Sequence, residues 1–165
     1  MGKKLVIGHS GAGKSWFLIG EAWADAVSGK RVLHVRRDSG DVLNADFEEN
    51  LVTIVGESLD ESTLVEKIKF LTVSEDFTEK DLETIQLAFK SHKADVVFLD
   101  AIEGLLTLEL FEGAEKVVHT SQRYPKSDVG VDLTEFDIVE LGSPVRPLGI
   151  DVTKLNVVSI DVHRT

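Results

Sequence analysis

Gly8-His9-Ser10-Gly11-Ala12-Gly13-Lys14-Ser15 is the stretch on which the fold of this chain turns. It meets every fixed position of the pattern G-x-x-x-x-G-K-[ST]. The apolar run Leu5-Val6-Ile7 precedes it and suits a short buried strand. The segment after it, from about Gly13 to Ser28, reads as a helix with Gly29 as its stop. Strand, small-residue turn and helix together make a setting for anion binding. Small residues let successive backbone N–H groups curl around a phosphate. The helix N-terminus adds partial positive charge. Lys14 should reach the terminal phosphates of a nucleotide, and the Ser15 hydroxyl should ligate Mg²⁺. The expected binding surface is therefore Gly8 to Ser15, with Trp16 next in line. A glycine-rich turn with a merely solvated lysine is the bland alternative, and the flanking strand and helix argue against it.

A second acidic position follows downstream. Ala94-Asp95-Val96-Val97-Phe98-Leu99-Asp100 is an apolar strand ending in a carboxylate. Asp100 is the expected acid on the metal side of such a site. Four apolar residues before an Asp also occur at ordinary strand ends, so the weight comes from the pairing with the Gly8–Ser15 turn. The residue after Asp100 is Ala101, so an acid elsewhere must polarise an attacking water.

Around these two motifs, apolar β-branched runs alternate with helical stretches. Strands are predicted at Leu5–Gly8, Arg31–Val35, Val52–Val55, Val96–Asp100, Lys116–Thr120, Asp137–Leu141 and Asn156–Asp161. One helix is predicted from Ser58, where Ser58 and Glu61 have capping-box spacing, with Leu64, Val65, Ile68 and Leu71 on one face. Another starts after Thr78, with Leu82, Ile85 and Phe89 on one side. A further one is expected over Ile102 to Phe111, interrupted by Gly104. A hairpin is expected around Pro147-Leu148-Gly149. Alternation of this kind predicts a single α/β domain over residues 1–165. Its form should be a three-layer α/β/α sandwich on a mostly parallel central sheet.

Composition narrows the function classes. The 165 residues can bury roughly 70% of the surface the unfolded chain exposes. No cysteine is present, which excludes disulfides and thiolate zinc sites, and the five histidines are scattered. No apolar run approaches the ~20 residues a membrane span needs, so a cytoplasmic protein without membrane contact is expected. A net charge of −11 disfavours a broad DNA-coating face. It leaves room for a motor that touches DNA through a few residues in a ring pore.

Taken together, the motifs resemble the RecA-like core of the P-loop NTPases, the branch with RecA and KaiC-type ATPases, replicative helicases and FtsK/HerA translocases. Ser10-Gly11-Ala12-Gly13-Lys14-Ser15 matches the Walker A segment, and Asp100-Ala101-Ile102-Glu103-Gly104-Leu105 looks like the Walker B strand end and its turn. Thr120-Ser121-Gln122-Arg123, followed by Ser127-Asp128-Val129, is similar to the sensor-Gln strand and loop. Tyr124 separates Arg123 from Pro125, where FtsK-type proteins have a Gln-Arg-Pro run. The resemblance implies ATP and Mg²⁺ as ligands, with Ser15 and Asp100 on the metal. It also implies a homo-oligomeric ring and ATP-driven work on DNA by translocation, packaging or recombination. The catalytic set it implies is Lys14, Gln122 as γ-phosphate sensor, and either Asp38 or Glu103 as the water-activating acid. Arg123, Arg146 and Lys154 are its candidates for a cation donated to a neighbouring subunit's phosphates. Through the Arg123–Lys126 loop it implies a DNA contact, with Tyr124 as an exposed aromatic.

Three rivals carry different functions. A ParA/MinD-like switch shares the D-x-x-x-G spacing at Asp100–Gly104 but has a lysine where this chain has His9. In that class the two motif strands are adjacent, whereas the RecA-like order sets Lys116–Thr120 between them. A small-molecule kinase would need an arginine-rich lid, for which Arg36-Arg37 and Arg123 are the available residues. A non-hydrolysing nucleotide-binding subunit would follow if no acid serves the water. Trp16 and Trp23, seven apart, share one helix face that helix-on-sheet packing explains.

Overall fold

The computed structural model describes residues 2–37, 66–106, 109–126 and 129–161. Its strands are β1 (Gly2–Ile7), β2 (Val32–Arg37), β3 (Ile68–Val73), β4 (Val96–Asp100), β5 (Lys116–Ser121), β6 (Phe136–Leu141) and β7 (Asn156–Ile160). They form one seven-stranded sheet in the order β3-β2-β4-β5-β1-β6-β7, and every neighbouring pair runs parallel. All of Val96 to Asp100 in β4 is buried, which is why that strand reads as an unbroken apolar run. The edge strand β7 instead leaves Val158 and Ile160 exposed.

Two helices cover the sheet among the described residues. In α1 (Lys14–Val27) a stripe of Leu18, Ile19, Ala22 and Ala26 packs on Val6, Val32, Val96, Phe98 and Val118. In α2 (Glu79–His92) Ile85, flanked by Leu82 and Phe89, packs on Leu33, Val35, Val97 and Leu99. Successive strand residues point to opposite faces, so Val32 serves α1 while Leu33 serves α2. Gly29, at φ 97°, lets the chain turn off α1. The Asp81 carboxylate accepts from the Thr78 N–H at 2.8 Å and fixes the start of α2. Over β1 and β6, the α2 face is covered by loops, with Tyr124, Leu106, Leu133 and Ile150 packed over Leu5, Ile7 and Ile138. The fold is thus α/β on an all-parallel sheet, with one described helix on each face. No helix among the described residues is long and apolar enough to cross a membrane.

Several expected elements differ. Ile68 and Leu71 belong to β3, not to a helix, because the run Ile68–Val73 pairs residue for residue with Val32–Arg37 of β2. Their helical spacing coincides with a β-branched and aromatic stretch that a sheet edge accommodates better. The start of that predicted helix at Ser58 and the strand Val52–Val55 lie outside the described residues. Between Ile102 and Phe111 only a 3₁₀ turn, Glu103–Leu105, is formed. Ile102, Leu105 and Phe111 are nevertheless buried, so the apolar pattern marked burial and not a helix. The hairpin is absent as well: β6 and β7 are parallel. Pro147 and Ile150 close a turn at 3.3 Å, but it lies within a crossover that continues through a 3₁₀ turn, Val152–Lys154. A proline-glycine turn reverses the chain locally without fixing which strands pair. Finally, Trp23 packs beside the α1 core as expected, whereas Trp16 is 52% exposed.

The Ile85→Ala substitution should cost about 2–5 kcal/mol, since Ile85 is fully buried. Leu87→Ala, on the exposed side of the same helix, should stay within roughly 0.5 kcal/mol of wild type. Urea unfolding of the two variants checks the assignment of the α2 face.

Candidate functional site

Parallel strands bring the C-terminal ends of β1, β2, β4, β5 and β6 to one edge of the sheet. The turn after β1 is tightly seated there. The Gly8 N–H donates to the Ser121 carbonyl at 3.0 Å, and the Ala12 N–H donates to the His9 carbonyl at 3.0 Å. A side chain at position 8 would meet the Ala12 Cβ at 3.0 Å and Leu141 at 3.2 Å, so glycine is required. Gly11 and Gly13 have φ of 83° and 93°, which lets the amides turn inward. Gly13 leads into α1 with no side-chain cap and no acid in the first turn. The start of α2, by contrast, carries Glu79 and Asp81. The N-terminal charge of α1 therefore has no compensation from its own first turn.

Lys14 donates to the carbonyls of Gly8 and His9. Burial lowers its pKa from the ordinary 10.5, and the charges of Asp100 and Glu103 oppose that shift. The Ser15 hydroxyl donates to Asp100 Oδ2 at 2.6 Å. Asp100 is itself held from behind. Thr120 Oγ1 donates to Asp100 Oδ1 at 3.2 Å and accepts from the Ala101 N–H at 2.8 Å. Ala101 sits at φ 62°, a conformation costing a non-glycine residue about 1–2 kcal/mol. The chain thus turns sharply off the sheet immediately after the acid.

These groups line a cleft of about 490 Å³. Ser10, Gly11, Gly13, Lys14, Ser15 and Trp16 form one side, and Arg36, Arg37, Asp100, Ala101 and Gln122 complete it. Gln122 is thus at the cleft, as expected. Glu103 is exposed in its 3₁₀ turn, accepting from the Gln122 N–H at 3.3 Å, and does not line the cleft. Asp38 lies outside the described residues. Ala12 is buried beneath the turn, and His9 lines a neighbouring cavity. One expectation is corrected. Tyr124 is 4% exposed and gives its hydroxyl to Glu140, so it cannot stack on a base. Arg146 makes two hydrogen bonds to Glu140, at 3.0 and 2.7 Å, so its guanidinium is already engaged within the chain. That pairing holds the Glu140 carboxyl down at about 2. Arg123 and Lys126 are exposed beside Tyr124.

The sequence reading names Arg36 and Arg37 only as kinase-lid arginines and does not single out Thr120. Arg36 pairs with Asp100 across β2 and β4, and Arg37 follows it, but that placement becomes visible only once strand order is known. Thr120 had a legible signal, a hydroxyl in an otherwise apolar strand.

Hard oxygen donors on Ser15 and Asp100 suit Mg²⁺, which typically takes one or two protein oxygens together with substrate phosphates. Among the described residues no group of three or more His, Cys, Asp or Glu is arranged to hold a metal. The donor set therefore fits a metal shared with a phosphate ligand. No known family model matches this chain, and no curated protein matches it.

On the α1 face, one step below Arg36, His34 lies between Phe70 and Phe98 at ring distances of 5.5 and 6.1 Å. Burial drives its pKa well below the usual 6.5. On the opposite face, burial takes His119 down to about 4, with Lys3 adding to the shift. Both rings stay neutral in the fold, while the unfolded chain binds protons below about 6.5. Stability contributed by these groups should therefore fall as pH drops from 6.5 toward 4, by up to about 1.4 kcal/mol per pH unit per proton. Single His34→Leu and His119→Leu variants should each show a shallower decline in unfolding free energy over that range. An unchanged slope in both would mean the rings protonate inside the fold.

Proposed function

We propose that this chain is a Mg²⁺-dependent ATP-binding protein with a RecA-like P-loop core, and that it hydrolyses ATP to work on DNA. The observation that carries the reading is the 2.6 Å hydrogen bond from Ser15 to Asp100, two side chains 85 residues apart. Folding brings the expected metal-side hydroxyl and carboxylate together beside an inward-turned amide loop and Lys14. Strand order supports the RecA-like branch over the ParA/MinD-like one, because β5 lies between β1 and β4. Gln122, at the end of β5, borders the cleft as a phosphate sensor would.

In this reading the loop amides and Lys14 bind the phosphates. Lys14 exchanges its two backbone carbonyl partners for phosphate oxygens. Asp100, fixed by Thr120, orients Ser15. Ser15 and Asp100 would hold Mg²⁺, which would offset charge developing on the phosphates. Arg36 and Arg37 supply further positive charge from β2. A DNA contact rests on Arg123 and Lys126 alone, with Tyr124 serving as their buried support. Assembly into a ring and a cytoplasmic setting belong to the same proposal.

One observation favours a second reading, a nucleotide-binding switch without turnover. Ala101 follows Asp100, and Glu103 stands outside the cleft, so Asp38 is the remaining named acid.

Turnover of ATP with Mg²⁺, with and without DNA, separates these readings. Hydrolysis is expected, with Lys14→Ala reducing it on the order of a hundredfold, the scale for removing a charge-stabilising donor. Because Trp16 borders the cleft, ATP should also alter tryptophan fluorescence in the wild type and leave Lys14→Ala unchanged. Binding without turnover favours the switch. ATP binding that survives Lys14→Ala intact would overturn both readings.

A further inference from the structure

A second cavity, of about 640 Å³, adjoins the phosphate loop on the far side from Asp100. Arg123, Tyr124 and Lys126 line it together with His9, Gln122 and the crossover residues Ser143, Pro144, Val145 and Pro147. Strand order sets the direction: β1 stands between β5 and β6, so the Asp100 side and the crossover after β6 flank the loop from opposite sides. The two cavities are continuous in their lining. Gln122 borders both, and His9 belongs to the loop itself. The crossover also starts hard against that loop, where a side chain at Gly142 would meet the His9 ring at 3.3 Å.

The wall formed by the crossover is apolar and held from below. Arg146, in its middle, is clamped by Glu140, which is 2% exposed. Tyr124 from beyond β5 and Ser159 of β7, the latter at 2.8 Å, donate to the same carboxylate. Arg146 thus ties the segment from Ser143 to Pro147 to a carboxylate that two further donors hold in place. Val145, next to Arg146 in the chain, is 86% exposed. Apolar surface beside a polyanion site suits a planar ring that packs on it, and the Arg146 tether reduces the ordering cost of that wall on binding. The volume lies within the range of about 300–1,000 Å³ usual for small-molecule sites.

We infer that the nucleobase of the bound nucleotide packs in this cavity between His9 and the Pro144–Pro147 wall, so that the β6–β7 crossover is the base-binding element. The inference rests on the nucleotide reading above. It makes Val145 a binding residue for the nucleoside half only, and Glu140 a positioning residue acting through Arg146.

The test compares ATP with inorganic tripolyphosphate, which has the phosphates and no base, by titration calorimetry with Mg²⁺. Wild-type protein should bind ATP at least tenfold more tightly than tripolyphosphate. Val145→Asn, a neutral change at an exposed position, should weaken ATP at least fivefold and leave tripolyphosphate unchanged. Lys14→Ala should weaken both. If Val145→Asn binds ATP as the wild type does, or weakens both ligands equally, the base lies elsewhere while the phosphate reading stands. Failure of the wild type to bind either ligand would overturn both.

Discussion

Every strand of the sheet runs in the same direction, and this constraint organises the remainder of the molecule. Parallel strands cannot be joined by tight turns, so each connection must cross a face and return. The loops leaving the strand ends therefore collect along one edge. A turn of small residues after β1, an acid closing β4, an amide side chain after β5 and a crossover after β6 become neighbours for this reason. No local interaction between these segments could assemble them, since their separation along the chain is large. The hydrophobic burial that seats β1 between β5 and β6 does so instead.

Within that frame, polar groups near the edge are satisfied in linked pairs. Asp100 accepts from Ser15 and Thr120. Glu140 accepts from Tyr124, Arg146 and Ser159. Both carboxylates are buried, and a buried carboxylate is tolerated only when such donors surround it. They differ in their partners' freedom. Arg146 gives Glu140 a full opposite charge, whereas Asp100 is met by two hydroxyls and faces the open cleft. The first pair fixes a wall, and the second leaves an acid able to meet a cation.

The fold was largely legible in the sequence because the decisive segments are strands buried on both faces. Runs such as Val96–Leu99 admit few other readings. The tight turn after β1 was legible because glycine at 8, 11 and 13 answers a local backbone need. Elements whose pattern serves two structures were misread. Ile68 and Leu71 share helical spacing within a segment that pairs with β2, and the apolar residues from Ile102 to Phe111 are buried by a short turn and loop. Tyr124 was misread for a different reason. Flanking basic residues imply a wet surface, but its own ring fills a gap under β1 and β6, and only the register of distant strands reveals that. The position of Arg36 beside Asp100 was hidden similarly.

The Thr120 hydroxyl is engaged in both directions, giving its proton to Asp100 and receiving the Ala101 amide. It rivets the tips of two adjacent strands at the same point where β4 bends away. Shear between those tips would break both bonds together. Displacing the Asp100 carboxylate would therefore pull on the tips of both strands through a single side chain.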